Sequence, residues 1–329
     1  MHEIKRAERE ERESRMLAPE ATLSAETRGR AQPEEPDEYR TAFERDRDRI
    51  IHSKAFRRLK HKTQVFLNPE GDHFVTRLTH TVHVNQVGRA MAVSLGLNEA
   101  LTEAICLAHD VGHSPFGHTG EDALTPYVEG EWLHSAQGVR VLSVLEPLNL
   151  TWEVIDGVRG HSWKVDPPPA TAEGHLCRFA DRIAYLTHDV SDAIRAGVIA
   201  FSDLPTAARR RFGDSSRAWI ASMITAVVEN SAKEDAVSMD EPTLEIMHEL
   251  RDFMFEYVYL RADAESQKDR AIGVIQDLTD WFAHHPDEVP NTYKVDDADD
   301  LTRAIDYVSG MTDRFALTTH DRLFRPTLF

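Results

Sequence analysis

Four side chains whose types suit a divalent metal ion are spread over about a hundred residues of this chain. They are His80, the consecutive pair His109 and Asp110, and Asp181. Imidazole and carboxylate groups together bind ions such as Mn, Mg, Fe, Co or Ni, and a bound ion of this kind activates water. If the four residues converge, the sequence predicts a hydrolytic metal centre.

The segment 171–196 is the longest clear helical pattern, and it carries a polar seam beside its apolar stripe. Asp181, Tyr185 and Asp189 follow one another at intervals of four residues, and residues four apart nearly align on a helix. A partly buried carboxylate at Asp181 needs a cation or hydrogen bonds. A metal ion satisfies that need, and a structural ion pair with an arginine is the alternative.

A second predicted helix, 76–95, carries Arg77 and His80 on one face, since they lie about one turn apart. That face would present a metal ligand beside a guanidinium able to bind phosphate. His83, three residues further on, is interpreted as a satisfied core histidine.

The His-Asp pair ends an apolar helix and opens a loop broken by glycine and proline. This loop carries His113 and His118, and Glu121 follows. Histidine titrates near neutral pH, so a histidine with an adjacent carboxylate is a plausible acid/base pair. His134, with Gln137 nearby, is a further candidate. The alternative is that these loop histidines have no function.

Composition restricts the class of protein. The chain has 329 residues, 41% of them hydrophobic, and a net charge of −18. No apolar run approaches the roughly 20 residues that span a bilayer, and the charged start from Glu3 to Arg15 does not read as a secretory signal. Cys106 and Cys177 lie in apolar segments without a CxxC partner. They are predicted to be buried thiols, which fits a reducing cytoplasm.

The charge is unevenly distributed, with a basic stretch at Arg40–Lys62 and an acidic stretch at Glu229–Asp300. A protein that is acidic as a whole is a poor generic nucleic-acid binder. The basic stretch therefore favours an anionic substrate. A solvated helix face and an effector site for single-stranded nucleic acid are the alternatives.

We predict an all-α fold, since alternating strand patterns are nearly absent. Residues 1–38 read as a charged, partly disordered arm, 39–200 as a helical core, and 201–329 as a helical C-terminal region packed on that core. Within these parts we predict helices at 134–146, 151–160, 206–230, 241–262, 264–284 and 299–312, a pair at Thr119 and Asp122 that resembles a capping box without its usual Glu, and a turn or short hairpin at 67–75.

Several segments together resemble HD-domain metal-dependent phosphohydrolases and, more narrowly, the deoxyguanosine triphosphate triphosphohydrolase (dGTPase) family. The resemblance covers about residues 40 to 329, and the combination is more specific than any one segment. The segments that carry it are 56–66 (FRRLKHKTQVF), 76–80 (TRLTH), 109–118 with Gly120 and Glu121, 180–185 (ADRIAY) and 306–314 (DYVSGMTDR).

The resemblance implies roles for individual residues. It makes 39–200 an HD core in which the four residues named first hold one metal ion, and it gives acid/base roles to His118 and Glu121. His134 matches a histidine near the phosphates. Further matched positions are assigned to the substrate: Gln64 and Asp189 to the deoxyribose, Tyr185 to packing against the sugar, Arg77 and Arg182 to the phosphates, and Arg58 and His113 to substrate binding.

The implied reaction converts a deoxynucleoside triphosphate and water into deoxynucleoside and inorganic triphosphate. The chain is shorter than the longest bacterial members, so the preferred base stays open. A homo-oligomer, such as a hexamer, is also implied. The alternatives are another HD hydrolase, either a nucleoside monophosphatase or a phosphodiesterase, and a non-catalytic nucleotide-binding regulator.

Overall fold

The computed structural model describes residues 2–64, 74–259 and 262–326, and in these ranges the chain is helical without β-strands, as the sequence predicts. None of these helices combines the length and the apolar character that crossing a bilayer requires. The α-helices are α1 Arg6–Met16, α2 Ala42–His52, α3 Lys54–Arg58, α4 Arg77–Leu95, α5 Glu99–Ala108, α6 His118–Leu124, α7 His134–Arg140, α8 Trp152–Gly160, α9 Ala172–Arg195, α10 Thr206–Phe212, α11 Ser216–Glu234, α12 Glu241–Met254, α13 Ala262–His284, α14 Asp300–Ser309 and α15 Asp313–Phe324.

Side-chain caps define the starts of α5 and α9. The side chain of Asn98 accepts a hydrogen bond from Leu101 N at the start of α5, and that of Thr171 accepts one from Gly174 N at the start of α9. Each bond satisfies a backbone donor that a helix start leaves without an intrahelical partner.

Three predictions about elements differ from the structure or lie outside it. The predicted helix at 206–230 is two helices, because Gly213 has a φ of +98° between them, where a helix cannot continue. The predicted capping box at Thr119 and Asp122 is wrong, since α6 already begins at His118 with Gly117 as its N-cap. The predicted turn at 67–75 falls mostly outside the described residues.

The chain divides into two compact units. The first unit comprises Met1–His52, His80–His109 and Leu148–Leu260, and the second comprises Ser53–Thr79, Asp110–Pro147 and Arg261–Phe329. These boundaries differ from the predicted division at 38 and 200, which stays a prediction.

Helix α9 is the centre of the first unit and packs against α5, α8 and α11. Its apolar stripe is buried, with Leu176, Ile183 and Leu186 fully shielded from solvent. A Cβ atom at Gly157 of α8 would lie 2.5 Å from Ile105 Cδ1 of α5, so the close approach of these two helices requires glycine. Cys106 and Cys177 are buried thiols, which confirms the prediction for both.

Residues 2–38 contain α1 and lie within the first unit, where half-buried Glu13 and buried Glu173 hold their backbone. Glu13 accepts hydrogen bonds from the backbone N and the hydroxyl of Ser24, at 2.8 and 2.9 Å. Glu173 accepts bonds from the backbone N and the hydroxyl of Thr22, at 3.1 and 2.9 Å. These bonds give a polar segment with few apolar residues a defined course.

Helix α13 is the centre of the second unit and packs against α6, α14 and α15. Burying each large apolar side chain of this core contributes about 1.5–3 kcal/mol. The core includes Leu124, Ile275, Leu278, Phe282 and Val308.

Candidate active site

Three of the four predicted metal ligands meet in the first unit. Asp181 Oδ1 lies 3.0 Å from His80 Nε2 and 3.7 Å from His109 Nε2. Both imidazoles are buried, while Asp181 on α9 is half-buried. Two metal–ligand bonds of about 2.1 Å at 90–110° separate their donor atoms by about 3.0–3.4 Å, so the spacing of His80 suits one ion and that of His109 is slightly wider than this range.

The tautomer of His109 also fits a metal ligand. Its Nδ1 lies 2.6 Å from the backbone oxygen of Cys106, and a carbonyl can only accept, so Nδ1 carries the proton and Nε2 keeps its lone pair. That lone pair faces a carboxylate oxygen, an arrangement that a cation stabilises. The donor set of the first unit therefore fits a divalent ion.

His161, next to His109, has its Nδ1 bound to a backbone oxygen in the same way. Its Nδ1 donates to the backbone oxygen of Val158 at 2.7 Å, and its ring lies edge-on to His109 with 5.1 Å between the centroids. The residue is buried. Sequence analysis missed it, because a lone histidine at a helix end carries no distinguishing pattern.

Asp110, the fourth predicted ligand, follows His109 directly in the chain and belongs to the second unit. Its Oδ2 accepts a hydrogen bond from Arg77 Nη1 at 3.0 Å, and its Oδ1 lies 3.2 Å from His113 Nε2. All three side chains are buried. The structure thus brings two predicted substrate residues, Arg77 and His113, to the HD aspartate.

The predicted acid/base residues form a second group, centred on Glu121. Its Oε1 lies 2.9 Å from His113 Nδ1 and 2.8 Å from His134 Nδ1, and its Oε2 lies 3.5 Å from His118 Nδ1. The rings of His113 and His134 stack with 3.8 Å between their centroids. One carboxylate therefore orients three imidazoles.

Charge in this group is fixed by burial and by neighbours. Burial acts to raise the pKa of Glu121, but His134 and His113 hold it well below its usual range. Burial, Arg77 and His134 lower the pKa of His113 to about 4. His118 differs from these two groups in its accessibility, because 75% of its side chain is exposed. The group thus combines an ionised buried carboxylate with one histidine that solvent or substrate can reach.

The loop before α6 adopts a backbone that few residues tolerate. Phe116 has a φ of +61° and Gly117 a φ of +60°. A Cβ atom at Gly117 would lie 2.8 Å from Arg77 Nη2 and 3.5 Å from the backbone oxygen of Gln64. Glycine therefore lets the loop approach the guanidinium, and half-buried Gln64 lies at the same place.

A cluster of cations surrounds Trp163 in the first unit. The Arg182 guanidinium lies 3.8 Å and that of Arg178 5.1 Å from the centre of the indole ring. Arg182 Nη1 also donates to His248 Nε2 at 2.9 Å. Burial lowers the pKa of Arg182, and nearby Arg251 lowers it further. We call Arg178, Arg182 and Arg251, together with His248, whose Nε2 accepts from Arg182 and which is therefore neutral, the cationic cluster.

Of these four residues, sequence analysis identified Arg182 alone. Arg178 and Arg182 are four residues apart on α9, a spacing that could have drawn attention to Arg178. Trp163, His248 and Arg251 gave no signal, because their proximity to α9 arises from tertiary packing.

Two of the predicted sugar-binding residues, Tyr185 and Asp189, lie on α9, and Asp189 gains a partner from the π-helical turn Phe255–Tyr259. The Tyr259 hydroxyl donates to Asp189 Oδ2 at 2.6 Å, and Asp189 is buried. Burial is the main reason that the pKa of Tyr185 rises to about 12. Tyr259 was missed, since it lies 70 residues from its partner.

Arg58, predicted to bind substrate, lines a cavity of about 310 Å³ in the second unit. Aromatic rings and the end of α14 form the other walls of this cavity. The wall residues are Tyr293, Tyr307, Gly310, Met311, Thr312 and Phe315.

Several arginines of the basic stretch that begins at Arg40 are paired within the chain. Arg40 lies 2.8 Å from an oxygen of Asp37, Arg47 lies 2.7 Å from Glu103, and Arg49 contacts Glu34 at 2.7 Å. These carboxylates neutralise part of the charge that an effector nucleic acid would need. Such an effector stays a prediction.

Comparisons with known proteins agree with this geometry. The HD domain model matches residues 77–186, and that of the phosphohydrolase-associated domain matches 237–322. A phosphohydrolase structure from Bacteroides thetaiotaomicron matches with a TM-score of 0.51 at 18% identity, covering 84% of this chain and 69% of that one, which is a likeness of fold.

Full-length relatives are closer in sequence. A deoxyguanosinetriphosphate triphosphohydrolase-like protein of Caldanaerobacter subterraneus is 46% identical, over 97% of this chain and 95% of its own length. One from Desulfatibacillum aliphaticivorans is 41% identical, over 97% of each. The chain therefore belongs to the deoxyguanosinetriphosphate triphosphohydrolase-like family of HD-domain proteins.

Proposed function

We propose that this protein is a metal-dependent hydrolase of deoxynucleoside triphosphates, of dGTP and of others, that releases deoxynucleoside and inorganic triphosphate. The observation that carries the proposal is the pairing, on one helix, of Asp181 at the imidazole pair with Arg182 in the cationic cluster. A donor set for an ion thus adjoins a site for a polyanion. The names of the relatives point to the same substrate class.

In this proposal His80, His109, Asp110 and Asp181 hold one divalent ion. When bound, the ion would polarise a phosphate oxygen and lower the pKa of a water molecule. The donor set accommodates Mn, Mg, Fe, Co or Ni.

The cationic cluster would bind the β- and γ-phosphates. Arg178 and Arg182 have buried Nε atoms without a hydrogen-bond partner, and burial lowers the pKa of both guanidinium groups. A polyphosphate would supply the missing acceptors and compensate the crowded charge. This arrangement favours a triphosphate over a monoester as the substrate.

His118 would serve as the general acid. With Nδ1 turned to Glu121, its Nε2 is the atom left to give a proton to the 5′-oxygen as the bond from that oxygen to the α-phosphorus breaks. Water supplies the oxygen that the α-phosphorus gains, so the products are the nucleoside and triphosphate. Arg77 would neutralise charge on the α-phosphate.

Asp189 and Tyr185 would bind the sugar. Asp189 is held by the Tyr259 hydroxyl, and its carboxylate would accept from the 3′-hydroxyl, while the Tyr185 ring would pack against C2′ and disfavour a ribose. Gln64 would contribute a second polar contact to the sugar. Arg58, His113 and His134 remain proposed substrate or acid/base residues.

A panel of the four deoxynucleoside triphosphates tests the proposal. Each is incubated with Mn²⁺, Mg²⁺ or a chelator, and nucleoside and inorganic triphosphate are separated by chromatography. Metal-dependent release of intact triphosphate supports the proposal. Monophosphate or diphosphate products would identify a different phosphoester hydrolase, and binding by calorimetry without turnover would identify a regulator.

A further inference from the structure

The last turn of α14, the connection to α15 and the first residue of α15 together form residues 306–313, which belong to a segment that stands out in the sequence (DYVSGMTDR) but has no role in the reaction proposed above. We call residues 306–313 the α14–α15 turn. It lies within the residues that match the phosphohydrolase-associated domain. Its polar groups are directed at the loop and the helix that carry the acid/base histidines of the second unit.

Asp313 joins the His113–His118 loop to the segment that carries Gln64. Its Oδ1 accepts a hydrogen bond from Phe116 N at 3.1 Å, and its Oδ2 accepts one from Thr63 N at 2.9 Å and a short one from the Thr63 hydroxyl. The carboxylate is 6% exposed. It thus holds the backbone at Phe116, where the positive φ would otherwise be unfavourable.

Lys62 makes a second connection between the turn and the loop. Its Nζ donates to the backbone oxygen of His113 in a short contact and to that of Ser309 at 3.0 Å. The side chain is buried, and burial, with Arg58 next in effect, lowers its pKa well below the usual value. A buried amine with two carbonyl partners is costly to remove, so it fixes the distance between the two backbones.

Asp306 holds the helix that begins at His134. Its carboxylate accepts from Gln137 Nε2 at 2.9 Å and from Arg140 Nε and Nη2, at 2.8 and 2.6 Å. Both donors lie on α7, and Asp306 is 1% exposed. The bidentate pair sets the orientation of α7 as well as its position.

We propose that the α14–α15 turn positions the acid/base group, with Asp313 and Lys62 setting the His113–His118 loop and Asp306 setting His134. These three residues are positioning residues, since they act through the contacts that Glu121 makes with three imidazoles. The proposal rests on the proposed function for its kinetic consequences. Its structural content stands apart from the identity of the substrate.

The kinetic test uses Asp313→Asn, with Asp299→Asn as the matched control. Asp299 caps α14, the helix that precedes the turn, by accepting from Thr302 N at 2.7 Å, so the control removes a carboxylate from the start of α14, away from the loop. A misplaced catalytic group costs up to about 100-fold in rate. We expect kcat to fall by about 10- to 100-fold in Asp313→Asn, with KM and metal content close to those of the wild type. A kcat within about twofold of the wild type would overturn the proposal.

A second test needs no substrate. Protein labelled with ¹⁵N-histidine is compared by NMR as wild type, Asp313→Asn, Lys62→Met and Asp299→Asn, with signals assigned by single substitutions. The side-chain signals of His113, His118 and His134 should shift in the first two variants and stay unchanged in the control. Unchanged signals in a folded Asp313→Asn or Lys62→Met variant would contradict the proposal.

The two tests separate the possible failures. A wild type that hydrolyses no deoxynucleoside triphosphate would defeat the proposed function, and the NMR comparison would still decide on the turn. If thermal melting finds Asp313→Asn unfolded, Lys62→Met decides by the same signals. If neither variant folds, the turn serves folding, and the positioning proposal is rejected.

Discussion

Nδ1 of His109 lies 2.6 Å from the backbone oxygen of Cys106, and this hydrogen bond determines which ring nitrogen can bind a metal ion. Because the proton is on Nδ1, the lone pair of Nε2 is directed at Asp181, 3.7 Å away. A helix end thus prepares a ligand before any ion arrives, which is how an outer hydrogen bond orients a metal-binding histidine.

Replacing Asp181 by Asn should remove the metal. An amide is a weaker ligand than a carboxylate and brings no charge, so we expect metal content to fall from about one equivalent and hydrolysis to fall by more than about 100-fold. Metal content is measured by mass spectrometry of the dialysed protein. The exposed Asp203→Asn variant is the control, and full metal content in both Asp181→Asn and His109→Ala would refute the assignment.

Replacing Arg182 by Met should weaken substrate binding. Losing hydrogen bonds between charged groups typically costs about 1.5–3 kcal/mol, so KM should rise about 10- to 100-fold, and inhibition by inorganic triphosphate should weaken in parallel. Arg195→Met, at the exposed end of the same helix, is the control. If KM and the inhibition constant of triphosphate both stay unchanged in Arg182→Met, Arg182 does not bind the phosphates.

Trp163→Leu should also raise KM, but by less than Arg182→Met does. The indole ring contributes about 0.5–2 kcal/mol through its cation–π contact, so a rise in KM of about 2- to 30-fold is expected with kcat little changed. A variant that loses kcat while keeping KM would show that Trp163 does not act through the guanidinium groups. The same steady-state assay measures both.

Replacing His118 by Ala should lower kcat and leave the metal in place. General acid catalysis contributes about 10²–10⁴ in rate, so the decrease should lie in that range. Glu121→Gln should also lower kcat, because it removes the carboxylate that orients all three imidazoles. The control is His284→Ala, and near-normal turnover with His118→Ala would remove this residue from the mechanism.

His83 should make stability depend on pH. Its ring stacks on His188 with 3.9 Å between the centroids, and burial, His188 and His80 lower its pKa to about 4 against the pull of Asp192. The folded state therefore holds this proton more weakly than the unfolded state. Its contribution is full above pH 6.5 and is lost as the pH falls from 6.5 towards 4.

The corresponding measurement is urea unfolding at pH 7.5 and pH 5. The His83→Phe variant keeps an aromatic ring for the stack but cannot titrate, so its unfolding free energy should fall less between the two pH values than that of the wild type. His284→Phe controls for the loss of a histidine. Equal pH dependence in wild type and His83→Phe would contradict the prediction.

The elements that sequence reasoning predicts best are those whose signals are local. Helix α9 follows from the apolar stripe of the segment 171–196, and α5 follows from the apolar pattern that ends at the His-Asp pair. The spacing of Asp181, Tyr185 and Asp189 on one helix is likewise a local property. The break at Gly213 was missed because a glycine inside an apolar period gives no sign of the positive φ that ends the helix.

The partners of the site residues could not be predicted in the same way. Tyr259 reaches Asp189, and His248 reaches Arg182, only after helices far apart in sequence have packed. Asp313 lies 197 residues from Phe116, whose backbone it holds. Such pairs depend on tertiary packing, which a single sequence does not encode in any periodic pattern.

The most direct test of the central claim is hydrolysis of dGTP in water enriched in ¹⁸O, with Mn²⁺ present and with a chelator as the control. We predict metal-dependent release of deoxyguanosine and of inorganic triphosphate that carries one ¹⁸O atom, since water would attack the α-phosphorus. Label in the nucleoside, release of pyrophosphate or orthophosphate in place of triphosphate, or turnover that the chelator does not reduce would contradict it.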